Sequence, residues 1–507
     1  MRFRRIFCLF TAVLAFAVLP STPALADSVS SETKSCIVCH RSVTPGIVAD
    51  WEASRHSRVT PAEGMEKSKM ERRISVSEVD DALSDYVVGC AECHTINADA
   101  HSDSFEHQGF QVHSVVTPQD CGTCHPVEVS EYSKNIMSQA HANLNGNPVY
   151  HDLVNTSIGT QKFSEGKLSL EDPNELTSTD ACNYCHGTEV EFQGLEERQT
   201  SMGEMKLPKY KGWPNQGVGR VNPDGTKGSC SSCHSRHEFS IAMARKPYTC
   251  KECHKGPDVP AYKVYMVSKH GNIFSSEKDK WDFNAVPWTV GEDFTAPTCA
   301  ECHASLVVTP DGEVLAERTH QFNDRLKWRI FGVPYAQPHP IDPDTTKIKN
   351  RNDLPLSSTL SGEPASEYLI DENEQEIRQK TMKKVCSGCH SDTWIRGHFE
   401  RFENTVRVTN EKTLTATNIL LEAYDKGLAD NDNLFDEAIE KKWVESWLFF
   451  SNSIRFSSAM AGADYGVFAN GRWWLNKNIA EMEDYLDFLK ATHEEHEEHE
   501  EEDEEKD

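Results

Sequence analysis

The sequence predicts a mainly α-helical protein with extensive irregular loops, followed by a helical bundle towards its C-terminal end. Three observations support this fold class. The pentapeptide Cys-x-x-Cys-His recurs eight times between residues 36 and 390, separated by loops rich in Pro, Asn, Asp and Gly. The motifs start at irregular intervals, which argues against a solenoid with a fixed repeat. After about residue 405, apolar residues recur every three or four positions, the period of an amphipathic helix.

The eight motifs indicate the chemistry of the chain. Each is the attachment signature of a c-type haem, because two thiols form thioethers to the vinyl groups and the adjacent His ligates iron. Zinc ribbons and disulfide frameworks also use Cys-x-x-Cys pairs, but neither requires His at the next position. The motifs use sixteen of the seventeen cysteines. We therefore expect eight covalently attached haem c groups, held by Cys36, Cys39 and His40; Cys90, Cys93 and His94; Cys121, Cys124 and His125; Cys182, Cys185 and His186; Cys230, Cys233 and His234; Cys250, Cys253 and His254; Cys299, Cys302 and His303; and Cys386, Cys389 and His390.

Composition agrees with a core built partly from porphyrin. Only 37% of the 507 residues are hydrophobic, which is low for a globular chain of this length. The formal net charge of −28 argues against nucleic acid as a partner. An acidic surface suits docking to a basic redox protein, and it is also a common route to solubility.

The first 26 residues have the pattern of a secretory signal peptide. Arg2, Arg4 and Arg5 form a basic region, Ile6–Leu19 an apolar one, and Ala24–Ala26 a small-residue cleavage site. We expect cleavage near Ala26 and a periplasmic or otherwise exported protein. No later segment approaches the apolar run of about 20 residues that spans a bilayer.

The rest of the chain is expected to form a haem-binding domain (27–405), a C-terminal helical domain (406–490) and an acidic disordered tail (491–507). Leu475, Ile479, Met482, Leu486 and Leu489 repeat as heptads do, although packing within one subunit explains the pattern equally well. In the tail, three histidines at three-residue spacing either capture a metal ion or belong to a solvated segment.

Distal ligands decide whether such a protein is an enzyme or an electron conduit. A haem with two axial histidines can only pass electrons, whereas one without a distal ligand can bind a small substrate. Counting does not separate the two cases, because eleven candidate histidines lie outside the motifs and the tail: His56, His101, His107, His113, His141, His151, His237, His270, His320, His339 and His398.

The surroundings of the motifs are more specific. The fifth and sixth motifs lie in Cys230-Ser-Ser-Cys233-His234-Ser-Arg236-His237, then Ala244-Arg245-Lys246-Pro247-Tyr-Thr-Cys250. The pattern continues through Cys253-His254-Lys-Gly256-Pro257-Asp258, Ser268-Lys269-His270-Gly271 and Ala296-Pro297-Thr298-Cys299. These stretches closely resemble the octahaem hydroxylamine oxidoreductases. The resemblance covers all eight motifs in order and extends more loosely into the C-terminal helices.

The resemblance implies a catalytic haem at the fourth motif, above His186, with the other seven haems as bis-His electron carriers. His237, His270 and His320 match distal ligands of the family, and His56 and His141 look similar in position. Near the second and third haems the choice between His107 and His113 stays open, with His113 counted among the expected ligands.

Three further residues are candidates for catalysis. The family carries an Asp-His pair after the sixth motif; here Asp258 is followed by Val259, so one carboxylate remains to relay protons, unless it is a helix cap or turn residue. Tyr465 lies roughly where oxidative members carry a tyrosine that cross-links to a neighbouring subunit's catalytic haem, though a packing tyrosine fits equally well. His339, in Gln337-Pro338-His339-Pro340, suits either a substrate channel or a haem ligand.

A further departure from the family is the spacer 187–229, which is long and suits a lid or a subunit contact. We expect an oxidoreductase acting on small nitrogen compounds, with reduction of nitrite or hydroxylamine toward ammonia favoured because Val259 replaces a base. Oxidation of hydroxylamine and a pure electron conduit are the alternatives. The resemblance also implies a homotrimer, and the partner is expected to be a redox protein or a quinone-linked cytochrome.

Overall fold

Short helices carry most of the motif-bearing region of the computed structural model, which describes residues 28–331 and 333–504. The expected signal segment and its cleavage point lie outside these residues. Several helices begin with Pro in the first turn, where its missing N–H costs no hydrogen bond. The helices are α1 Ser31–Val43, α2 Pro45–Ala53, α3 Pro61–Glu66, α4 Asp81–Ser84, α5 Cys90–His94, α6 Pro118–Gly122, α7 Pro126–Ser133, α8 Ala140–Asn145, α9 Pro148–Ile158, α10 Glu175–Asp180, α11 Cys182–His186, α12 Ile241–Arg245, α13 Pro247–Lys251, α14 Ala261–Val267, α15 Lys269–Glu277, α16 Cys299–His303 and α17 Glu372–Ser387.

The strands pair only with their nearest neighbours in sequence. They form five two-stranded antiparallel sheets, β1–β2, β3–β4, β5–β6, β7–β8 and β9–β10, in the part of the chain that the structure describes. Such hairpins cannot supply a core, so they act as local supports for loops. The strands are β1 Phe105–His107, β2 Phe110–Val112, β3 Thr160–Ser164, β4 Lys167–Glu171, β5 Glu191–Thr200, β6 Gly203–Lys211, β7 Val307–Val308, β8 Val314–Ala316, β9 Trp328–Arg329 and β10 Gln337–Pro338.

A helical bundle follows, as the apolar period predicts. Its elements are α18 Asp392–Asp425, α19 Ala438–Val444, α20 Asn452–Ala459 and α21 Arg472–Glu504, with π-helical turns at Glu445–Ser451 and Tyr465–Ala469. α18 packs against α20 and α21. Trp447 and Met482 are fully buried in the shared apolar cluster. The predicted fold class, mainly helical with extensive irregular loops, is confirmed.

Two details differ from the sequence expectation. α18 runs through residue 405 without a break, so no linker separates the haem-binding region from the bundle there. α21 continues to Glu504, whereas we expected disorder from residue 491. Packing holds the first turns of α21. The Glu residues that follow extend a helix that has already formed, so they do not carry the cost of helix nucleation. Among the described residues, no helix combines the length and apolarity needed to cross a bilayer.

Candidate functional site: a multihaem array

The motifs place two thiols and an imidazole on one face of a short helical turn. The backbone N–H of His125, His254 and His390 donates to the carbonyl of the first Cys of the same motif, at 2.9, 2.9 and 3.0 Å. Residues three and four apart on such a turn are neighbours. The two thiols and the imidazole of a motif therefore face the same side of the turn, as covalent haem attachment with axial ligation requires.

The motif histidines are held in the form that binds iron. Nδ1 of His94 lies 2.8 Å from the carbonyl oxygen of His113, and Nδ1 of His186 lies 3.3 Å from that of Ala140. A ring nitrogen that donates to a carbonyl leaves Nε2 with its lone pair free for a metal. Burial lowers the pKa of His234 and His303 to about 4, so these imidazoles are neutral at neutral pH.

Five motif histidines face a second imidazole across the interior. A metal ion about 2 Å from each of two imidazole nitrogens holds the ring centres on the order of 6 Å apart. The observed separations bracket that value, so these residues fit haem iron between them. The pairs are His40–His107 at 6.2 Å, His125–His56 at 6.3 Å, His94–His237 at 6.4 Å, His234–His320 at 6.4 Å and His390–His270 at 6.0 Å.

The positions of His107 and His113 relative to the motif histidines distinguish these two candidate ligands. Strands β1 and β2 form a hairpin whose turn residues, Gln108 and Gly109, both have positive φ, and it directs His107 towards His40. The ring of His113 is also 6.1 Å from that of His94. However, its carbonyl accepts from Nδ1 of His94, which places it behind that ring, away from the iron. The geometry thus favours His107 over the expected His113.

Three motif histidines, His186, His254 and His303, face no imidazole at this distance among the described residues. His141, expected as a distal ligand, follows Ala140, whose carbonyl lies on the Nδ1 side of His186. Among the described residues, the ring of His141 faces no motif histidine at the 6.0–6.4 Å of the pairs above. His339 lies near His303. Burial is the main reason why the pKa of His339 is lowered to about 3, and His303 contributes to this lowering.

Neighbouring motifs contact each other through their thiols. Cys36 reaches Cys90, and Cys121 reaches Cys230. Cys185 reaches Cys253, and Cys250 reaches Cys299. The first motif therefore adjoins the second, the third adjoins the fifth, and the sixth adjoins both the fourth and the seventh. Such a chain of adjacent sites is what electron transfer between haems requires.

All motifs except the first contribute to the lining of one continuous cavity of about 1930 Å³. Its lining includes the motif histidines His125, His186, His234, His254, His303 and His390. It also includes Asp258 and Val259. The cavity combines apolar walls with converging imidazoles, as a stack of porphyrins needs.

Asp258 lies beside the fourth and sixth motifs. Burial lowers the pKa of His186 and of His254, and the Asp258 carboxylate opposes that shift in both. Oδ1 of Asp258 lies over Gly256. A Cβ added at residue 256 would be 2.3 Å from this oxygen, so such a close approach requires glycine. Pro260 occupies the N-cap of α14, so Asp258 is not that helix's cap.

Sequence reasoning missed the residue that fixes Asp258. Nδ2 of Asn452, on α20, donates to the Asp258 carbonyl at 3.1 Å. The C-terminal bundle therefore holds the loop of the sixth motif in place. No local signal marks Asn452, because its target is a backbone carbonyl 194 residues away.

Tyr465 and His339 occupy different environments. Tyr465 lies in the second π-helical turn, outside the lining of the cavity, and burial raises the pKa of its hydroxyl while a hydrogen bond with Ser453 opposes the rise. His339 lines the cavity and is almost fully buried. Its Nε2 lies 3.1 Å from the Trp328 carbonyl, and its Nδ1 has no hydrogen-bond partner.

The spacer 187–229 forms the β5–β6 hairpin, and none of the strand residues lines the cavity. Near its base the hydroxyl of Tyr210 donates to Asp103 at 2.9 Å. The guanidinium groups of Arg220 and Arg236 lie over the ring of Trp213, at 5.3 and 5.0 Å from its centre. The hairpin is therefore anchored next to the second motif.

The fold and the motif geometry define a multihaem c-type cytochrome. Residues 218–335 match the family model described as seven times multi-haem cytochrome CxxCH. A solved structure described as a hypothetical multiheme protein is 42% identical, with a TM-score of 0.87, and the match covers 92% of this chain and 97% of that one.

Two relatives are more distant. A "Probable nitrite reductase-hydroxylamine oxidoreductase fusion protein" of Kuenenia stuttgartiensis is 26% identical over 365 residues, 70% of this chain. The match spans 34% of that relative's length. A chain of a Kuenenia stuttgartiensis reducing HAO-like protein complex is 19% identical with a TM-score of 0.61, covering 92% of this chain and 87% of that one. The chain belongs to the multihaem cytochromes.

Proposed function

We propose that the protein carries eight haem c groups and that most of them are bis-His electron carriers. His107, His56, His237, His320 and His270 serve as distal ligands to the first, third, second, fifth and eighth haems. The ring separations of 6.0–6.4 Å support these assignments. His339 serves the seventh haem, since its buried Nδ1 has no partner and the ring lies near His303.

The substrate site is the haem held by Cys182, Cys185 and His186, and the reaction is reduction of nitrite or hydroxylamine toward ammonia. One observation carries this proposal: the Asp258 carboxylate lies in the cavity beside His186, which faces no imidazole among the described residues. The fusion relative's name supports chemistry on nitrogen compounds. A haem held by Cys182, Cys185 and His186 would supply an iron for binding the substrate nitrogen and a route for the electrons that reduce it.

The chain's own residues then handle protons and position. Reduction of these substrates consumes protons, and Asp258 is placed to deliver them within an otherwise apolar wall that includes Val259. Asn452 fixes the loop, so that the carboxylate keeps its place between the fourth and sixth motifs. Oxidation would instead require bases that remove several protons, and Val259 cannot act as one.

The proposal extends to the setting of the protein. We propose that it is exported after cleavage near Ala26 and forms a homotrimer through the helices after residue 410. An acidic chain, with a net charge of −28, suits a basic redox protein as electron donor.

Steady-state kinetics in both directions test the direction of the reaction. Reduced viologen with nitrite or hydroxylamine should give turnover, and hydroxylamine with an electron acceptor should turn over far more slowly. Mass spectrometry should find no adduct between Tyr465 and haem, and the reduced protein should lack a Soret band shifted well to the red. An adduct together with faster hydroxylamine oxidation would establish the oxidative alternative.

A further inference from the structure

A cluster of three arginines, Arg55, Arg73 and Arg245, lines the haem cavity close to the third motif. Arg55 directly precedes His56, the imidazole that faces His125 at 6.3 Å. The backbone of Arg73 is hydrogen-bonded to the ring of His125. Two of the arginines are therefore adjacent to the two opposite axial ligands proposed for one haem.

Two members of the cluster bind the same short segment of backbone. Nη2 of Arg55 donates to the middle carbonyl of residues 283–285 at 2.7 Å, and Nη1 of Arg245 donates to the two flanking carbonyls at 2.8 and 2.7 Å. The Arg245 guanidinium also lies over the ring of Trp288, 4.7 Å from its centre. These contacts bring the two guanidinium groups together and hold them in the cavity wall, but all of them are with neutral groups.

The chain does not supply a carboxylate partner for this cluster. Arg73 donates to the carbonyls of Met70 and Arg72, at 3.0 and 2.9 Å. In the described parts of the chain, none of the three arginines forms an ion pair, whereas the nearby Arg318 is paired with Glu128. Once haems fill the cavity, the three charges are removed from water. A charge in that setting needs a partner of opposite charge.

Arg245 is the most deeply buried of the three, at 8% exposed. Burial, together with the charges of Arg73 and Arg55, lowers the pKa of Arg245 to about 9, although Asp293 and Asp282 oppose the shift. Each of these two carboxylates accepts instead from a backbone N–H a few residues away, at 2.7 and 2.8 Å. The group that occupies the cavity is therefore left to supply the missing negative charge.

We propose that Arg55, Arg73 and Arg245 bind the propionate carboxylates of the haem attached at the third motif. A haem c carries two propionates, which are ionised at neutral pH. A guanidinium suits such a group, because its planar N–H groups donate to both oxygens of a carboxylate. The inference rests on the proposal that this haem lies between His125 and His56. The pairing neutralises the buried arginines and fixes the orientation of the propionate edge.

A structure of the haem-loaded protein tests the contacts directly. Propionate oxygens of the third haem should lie within about 3.2 Å of guanidinium nitrogens from at least two of the three arginines. Propionates that turn away from all three, or an inorganic anion in their place, would overturn the proposal. The same structure shows whether the iron lies between His125 and His56, so a failure of ligation is recognised separately from a failure of the propionate contacts.

Variants test the charge of the cluster in solution. Oxidation adds one positive charge to a haem, and a nearby cation opposes it. Arg245→Gln should therefore lower the reduction potential of a low-spin haem in a spectroelectrochemical titration, and Arg245→Lys should restore most of the wild-type potential. Arg198→Gln, which changes an exposed arginine on β5 outside the cavity lining, is the matched control and should leave every potential unchanged.

Nitrite binding separates the propionates from the substrate as the anion that the cluster holds. Because the proposed substrate site is the fourth haem, Arg245→Gln should bind nitrite as the wild type does. Weaker nitrite binding with unchanged potentials would assign the cluster to the substrate anion and overturn the proposal, as would potentials and nitrite binding that are both unaltered. Intact mass checks that each variant carries its full set of haems, and the wild-type structure tests the contacts if a variant does not load them.

Discussion

Asp258→Asn isolates the proton-handling role proposed for the pocket. The substitution keeps the shape of the side chain that folds over Gly256, and the Asn452 bond is unaffected because it reaches the backbone carbonyl. Only the exchangeable proton and the charge beside His186 and His254 are lost. Binding of nitrite to the ferric protein should therefore persist while catalysis fails.

The expected size follows from the role of a positioned acid. Loss of such a group costs about 10²- to 10⁴-fold in rate, or roughly 3–5 kcal/mol in activation free energy at 1.36 kcal/mol per decade. The value of kcat for nitrite or hydroxylamine reduction should fall by this factor, and the nitrite dissociation constant should change by less than about tenfold.

Stopped-flow reduction and steady-state turnover, measured across pH, are the assays. Asp311→Asn is the matched control, since Asp311 is an exposed turn residue whose carboxylate interacts with Thr309. It should leave kcat unchanged. An Asp258→Asn protein with full haem content and a wild-type kcat would refute the proton-delivery argument.

Further predictions concern ligation and the bundle. His107→Ala should convert one low-spin ferric haem to high spin in the electron paramagnetic resonance spectrum, whereas His113→Ala should not, and the reverse result would restore the original assignment. Burial raises the pKa of Glu440 to about 7, so this carboxyl favours the folded state below about pH 4.5, and the contribution is lost as pH rises through 7. Glu440→Gln should therefore raise stability at pH 8 by on the order of 2 kcal/mol relative to wild type, and an unchanged pH profile of thermal unfolding would contradict this.

The attachment motifs could be identified from the sequence because both thiols and the imidazole are local in the chain. The facing partners are not local. His237 follows its own motif by three residues yet faces His94, and no sequence period relates the two. His107 and His113 were indistinguishable because the β1–β2 hairpin that separates them depends on positive φ at Gln108 and Gly109.

The C-terminal bundle was predicted for a different reason. Trp443, Trp447 and Ile454 recur at the helical period, and that period directly reports a buried face. By contrast, the hairpin in the spacer has alternating, mostly polar strands, and its anchor Tyr210 donates to Asp103, which lies 107 residues away in sequence. Disorder of the tail remains a prediction from its acidic composition, and in the structure α21 extends to Glu504.

The central claim is that the haem held by His186 keeps an open position for a nitrogen substrate, whereas the haems flanked by two imidazoles are saturated. Electron paramagnetic resonance of the oxidised, fully haem-loaded protein, recorded with and without nitrite, tests it most directly. We expect a high-spin ferric signal that is replaced by a low-spin species when nitrite binds. A wholly low-spin spectrum that nitrite does not alter would contradict it and identify the protein as an electron conduit.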